Sequence, residues 1–70
     1  MKFRFFNDEW EMFIEHCGFS DDELEIIPFI RRGWAQIDIA VELNTSVSTV
    51  ARRTKRISEK IVRYISRCVN

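Results

Sequence analysis

The chain has 70 residues, 46% of them hydrophobic with six Phe and two Trp, and its formal net charge is zero. A chain this short forms one domain and buries only about 60% of the surface its unfolded form exposes, which leaves no room for a deep catalytic cleft. The apolar content excludes a disordered segment, and no apolar run approaches the ~18 residues of a membrane span.

The neutral total conceals an asymmetry. Residues 1–29 hold two cations against eight acids and carry −6, whereas residues 30–70 hold nine cations against Asp38, Glu42 and Glu59 and carry +6. A basic half is the electrostatic footprint of a polyanion binder. Pairing between the two halves of the same molecule accounts for part of the same pattern. Cys17 and Cys68 stand far apart with no C-x-x-C spacing, and His16 is the sole imidazole. No metal or other cofactor is therefore expected. Both cysteines read as reduced thiols, and the N-terminus has no signal-peptide-like apolar stretch, so a cytoplasmic protein is expected.

In chain order, MKFRFF is too short to build a sheet, and Phe3, Phe5 and Phe6 read as an apolar leader docking on the core. Asn7 or Asp8 caps a first helix, DEWEMFIEHC, in which Trp10, Phe13, Ile14 and Cys17 form one stripe. Gly18 ends it. Ser20 opens a second helix through a capping box with Glu23. There Leu24, Ile27 and Ile30 share a face that Ile26 and Phe29 widen, and Gly33 closes the segment. Pro28 predicts a kink or local break.

A short helix follows from about Ala35 to Leu43, with Ile37, Ala40, Val41 and Leu43 as its expected buried side and Trp34 covering the core's edge. Asn44-Thr45-Ser46 is a tight turn, Asn being the non-glycine residue most tolerant of left-handed geometry. Ser46 caps the last helix, which nothing breaks before Asn70 and which makes a rod of about 35 Å. Val47, Val50, Thr54, Ile57, Ile61, Tyr64, Ile65 and Cys68 form its apolar stripe, widened by Val62 and Val69. Ser48, Arg52, Lys55, Arg56, Glu59 and Arg63 lie opposite. Lys60, Arg63 and Arg67 are expected to be solvated or paired with the acidic front.

A short helix, a three-residue turn and a longer capped helix make a helix-turn-helix, whose second helix enters the major groove. Ala40 is small where the second helix crosses above it, Asn44 supplies the turn, and Val50 fills the angle. His16 beside Cys17 lacks an oriented third group, and adjacent helical residues do not face each other. Ser46, Ser48 and Thr49 read as capping and contact residues. No enzyme is expected.

From Phe19 to about Ile61 the sequence resembles the DNA-binding domain of LuxR-type response regulators and region 4 of sigma factors. The resemblance rests on Phe19-Ser20, Glu23, Ile26, Ile27, Ile30, Gly33, Ile39-Ala40, Leu43, Ser46, Thr49-Val50, Ile57 and Lys60-Ile61 in ungapped register. Asn44 stands where the family has a turn glycine, Thr54 where it has a leucine, and Pro28 is foreign to its first helix. The resemblance implies an all-α fold: a small bundle of about four helices containing a helix-turn-helix with a long C-terminal recognition helix. Residues 1–70 then form a single domain, with an added N-terminal helix (1–18), a family-like core (19–61) and a helix extension (62–70).

Carried over by position, the resemblance implies base contacts by Val47, Ser48, Ala51, Arg52 and Lys55. Arg52 is the candidate for guanine, at about 1–3 kcal/mol of discrimination, and Ala51 or Val47 for a thymine methyl. Backbone contacts fall to Arg31, Arg32, Gln36, Ser46, Thr49, Arg53 and Arg56, which hold register without reading sequence. The expected function is that of a sequence-specific double-stranded DNA-binding protein, a small transcriptional regulator. The alternative is a protein-interaction module of the same fold, binding RNA polymerase or another regulator. A single module buries only ~600–1,000 Å² on DNA, which favours a larger assembly. The C-terminal apolar arc of Val62, Ile65 and Val69 packs either on a second copy, as a homodimer, or on the chain's own first helix.

Overall fold

The computed structural model describes residues 4–69, with Val69 as backbone only. Four helices follow one another: α1 (Asn7–His16), α2 (Asp21–Arg31), α3 (Gln36–Glu42) and α4 (Val47–Val69), with no strand among the described residues. The expected all-α bundle is what this chain forms. α4 sets the long dimension of the molecule, 39 Å, and α1, α2 and α3 all pack against it.

The helix ends follow from local chemistry. Ser20 and Glu23 make the expected reciprocal cap: the Glu23 amide donates to Ser20 Oγ at 3.3 Å and the Ser20 amide to Glu23 Oε1 at 2.8 Å. At the end of α2, Gly33 takes φ 81°. Its amide reaches the Ile30 carbonyl, and the Trp34 amide reaches that of Phe29. This is a complete Schellman motif, and its customary hydrophobic contact is present, with the Trp34 ring 4.8 Å from that of Phe29. Trp34 therefore covers the end of α2, as expected of an edge residue.

The N-cap of α1 lies one residue before Asn7 and two before Asp8, the two expected caps. Phe6 occupies the N-cap, and its backbone amide donates to Glu9 Oε1 at 2.8 Å. Asn7 is already helical, and its side chain instead accepts from Arg31 Nη2 at 3.2 Å. The Glu9 carboxylate satisfies the cap amide, whereas Phe6 offers no side-chain acceptor to the amides of the first turn, so only half of a capping box is formed.

The core is Trp10, Phe13, Ile26, Ile27, Ile30, Ile39, Ala40, Val50, Ile57 and Ile61, with Phe5, Cys17, Phe19, Phe29, Leu43 and Tyr64 packed against it. Of the apolar leader, Phe5 docks edge-on against Trp10 and Phe13 at 5.5 and 4.9 Å between ring centroids. Phe6 stays exposed, and Phe3 lies outside the described residues. Ile14 and Leu24, read as stripe residues, sit at the solvent margin.

Of the kink or break expected at Pro28 the break is absent, and the expected buried side of α3 is corrected. α2 runs unbroken through Pro28, which lies on its exposed side. The proline removes the amide that would reach the Leu24 carbonyl, and Leu24 is itself 37% exposed, so the lost bond falls on the side of α2 away from the core. On α3 the buried side is Ile39, Ala40 and half-buried Leu43, whereas Ile37 and Val41 are 60% and 77% exposed. The contact centred on Ala40 is as expected. The flanking positions that turn inward are i−1 and i+3, because α3 is rotated about its axis so that Ile39, not Ile37, meets the core.

Candidate nucleic-acid interface

The turn between α3 and α4 is built by the backbone. Asn44 adopts φ 54°, the one positive φ among the described non-glycine residues. Its amide donates to the Val41 carbonyl at 3.2 Å and that of Thr45 to Ala40 at 2.9 Å, a second Schellman closure with Asn in the glycine position. Residues 43–46 make up the whole connection, and Ser46 opens α4. The Thr49 amide donates to Ser46 Oγ at 3.1 Å, and the two hydroxyls bond to each other at 2.8 Å. Two hydroxyl protons serve one mutual bond, so one remains for an outside acceptor.

α4 has no acid in its first turn, whereas α1, α2 and α3 each have at least one. The positive end of its dipole is uncompensated within the helix. Ser48, Arg52 and Lys55, at i, i+4 and i+7, are exposed on one side, with Arg56 beside them and Ala51 half-buried at their edge. Val47, assigned on sequence both to the apolar stripe and to a base contact, is 43% exposed and lies at the rim. Gln36, Arg31 and Arg32 are exposed, Arg31 being turned to Asn7 of α1.

The inner flank of α4 behaves differently. Arg53 Nη2 is 3.6 Å from Asp22 Oδ2, with the arginine side chain 26% exposed. Lys60 Nζ is 2.6 Å from Glu23 Oε1 and 3.2 Å from the Gly18 carbonyl. Burial pushes the Glu23 carboxyl up, but the Lys60 ammonium and the Ser20 amide outweigh it, and its pKa lies below the usual carboxylate value. Two acids at the start of α2, Asp22 and Glu23, therefore engage the α4 cations on the flank that adjoins α2. Among the described residues Arg52, Lys55 and Arg56 form no ion pair.

Sequence reasoning gave Arg53 a phosphate and missed Asp22 as its neighbour. No local signal links positions 31 residues apart; the packing of α2 on α4 creates the pair. Thr54, expected to bond back to its helix or weaken the core, keeps its Oγ1 buried without a partner. His16 stacks on Tyr64, with ring centroids 5.8 Å apart and planes 1° from parallel. Both cysteines are free thiols, Cys17 half-buried and Cys68 exposed. Burial raises the Cys17 pKa, which makes it a poor nucleophile. Among the described residues no group of three or more His, Cys, Asp or Glu is placed to hold a metal ion, and no helix is long and apolar enough to cross a membrane. Comparison with protein-family models, curated proteins and solved structures finds no match to this chain.

Proposed function

We propose that the protein binds double-stranded DNA, with the first three turns of α4 in the major groove, and acts as a small transcriptional regulator. The observation that carries this reading is the division of the α4 cations. Those on the inner flank are paired to α2, while Arg52, Lys55 and Arg56 project outward without an ion pair. Arg63 and Arg67 are likewise exposed without an ion pair among the described residues, so the reading rests on Arg52, Lys55 and Arg56 standing together beside the start of α4. The acid-free first turn of α4 and the spare Ser46–Thr49 hydroxyl proton supply phosphate-binding chemistry beside them. Arg52 reads the base, Ser48 and Lys55 extend the reading surface, and Arg56 holds a phosphate.

One module of this size binds weakly, so two copies on adjacent half-sites are part of the proposal. Val62 and Ile65 are 50% and 39% exposed on α4, which supports pairing of two copies there. The test is fluorescence anisotropy with random-sequence duplex DNA across a salt series. Affinity should fall linearly in log–log form with a slope of about −0.9 per neutralised phosphate. Absence of binding at low salt rules the reading out.

A further inference from the structure

We infer that the outer face of α3 is a docking surface for a basic, apolar segment of a partner protein. Ile37 and Val41, expected on the buried side of α3, are 60% and 77% exposed, and Trp34 beside them is 38% exposed. An open depression of about 660 Å³ lies among Gly33, Trp34, Ala35, Asp38, Val41 and Glu42. No cation lines it. Asp38 and Glu42 are two of the three acids in residues 30–70, stand one helical turn apart, and form no ion pair among the described residues.

This combination selects the occupant. Two unpaired carboxylates repel a phosphate backbone, so the face is not an extension of the α4 surface proposed for DNA. An apolar lining with an acidic edge suits a segment whose Leu-like side chains enter beside Trp34 and Val41 while Lys or Arg meets Asp38 and Glu42. The adjacent indole supplies a large, rigid contact of the kind that anchors interfaces. The surface is independent of the DNA reading and survives its failure.

The test uses two synthetic amphipathic peptides: Leu and Lys at helical spacing, and the same peptide with every Lys replaced by Glu. Amide and indole signals of the labelled full chain are followed by NMR, with the Trp34 indole assigned through Trp34→Phe. The basic peptide should shift the Trp34 indole and the amides of residues 37–42. Val41→Ser, and separately Asp38→Asn with Glu42→Gln, should each weaken it by about tenfold, a loss that rim charges and one exposed anchor can supply. These positions are exposed, so the fold is retained, which circular dichroism checks. Equal binding of the acidic peptide, shifts confined to the acidic α1 and α2 residues, or no shift with either peptide overturns the inference. Duplex DNA shifting the Trp34 and Val41 signals would give the face to nucleic acid and overturn it equally.

Discussion

Lys60 Nζ lies 2.6 Å from Glu23 Oε1, and that same oxygen accepts the Ser20 amide at 2.8 Å. One carboxylate oxygen thus caps α2 and ties it to α4 across 37 positions of sequence. The Glu23 side chain is 3% exposed and that of Lys60 is 29% exposed. The charge is buried but paired, the condition under which a buried carboxylate is tolerated. Removing the ammonium while keeping its apolar stem, as in Lys60→Met, strands that charge. The loss should be about 2–3 kcal/mol, reduced from a fully buried case by the access water has to Lys60. Urea denaturation measures it, and a change below about 0.5 kcal/mol, the scale of a surface substitution, would show the pair to be solvated.

The same pair has a pH signature. The folded-state pKa of Glu23 is lowered, so its contribution is fully present above the ordinary glutamate value of about 4.3 and is lost as pH falls through its own lower value. Glu23→Gln keeps an acceptor for the Ser20 amide and removes the charge. The variant should be less stable than wild type at neutral pH, and the gap should close in acid. A gap independent of pH would assign the loss to packing or to the cap, not to the ion pair.

Thr54 offers a gain. Its Oγ1 is buried without a partner. A buried hydroxyl without a bond costs free energy that an isosteric methyl does not. Thr54→Val should raise stability by about 1 kcal/mol, or about 4–8 °C in Tm for a domain of this size. A lower Tm would mean that the hydroxyl is satisfied in solution.

These elements differ in how far the sequence revealed them, and the difference is physical. Ser20 with Glu23, Gly33, Asn44 and Ser46 act within one turn of themselves, so each helix end they control was readable from spacing alone. Phe6 was missed as a cap because a phenyl ring accepts no hydrogen bond and so leaves no capping residue type to read; only its amide is held, by Glu9. Ile37 and Val41 were misassigned because α3 has seven residues, too few for a periodic pattern to fix its rotation. Only docking on α4 decides that angle. The exposed side of Ser48, Arg52 and Lys55 was legible because α4 is long and its stripe repeats. Asp22 beside Arg53 was not, being purely tertiary.

Asp22 makes a graded prediction under the DNA reading. It holds Arg53 at 3.6 Å and is itself 67% exposed, so it competes with a phosphate for the guanidinium. Asp22→Asn should leave stability within about 0.5 kcal/mol, as expected of an exposed pair. Affinity for duplex DNA should rise about twofold to fivefold at low salt and converge with wild type as salt screens the charge. An unchanged affinity at low salt would place Arg53 outside the interface.

Arg52 and Arg56 lie on the same exposed side of α4 and should fail differently. If Arg52 makes a two-point contact to a guanine edge, Arg52→Ala costs about 1–3 kcal/mol on the selected site and little on random duplex. Specificity is then relaxed at one base position, which a binding-site selection with the variant reads directly. Arg56→Ala weakens selected and random sequences alike and lowers the salt slope by about one. The two effects separate because a phosphate is present at every step of the duplex, whereas the paired O6 and N7 acceptors occur only at guanine. Equal losses on both DNAs for both variants would make α4 a non-specific cationic rod. No loss for either would move the DNA surface elsewhere on the molecule.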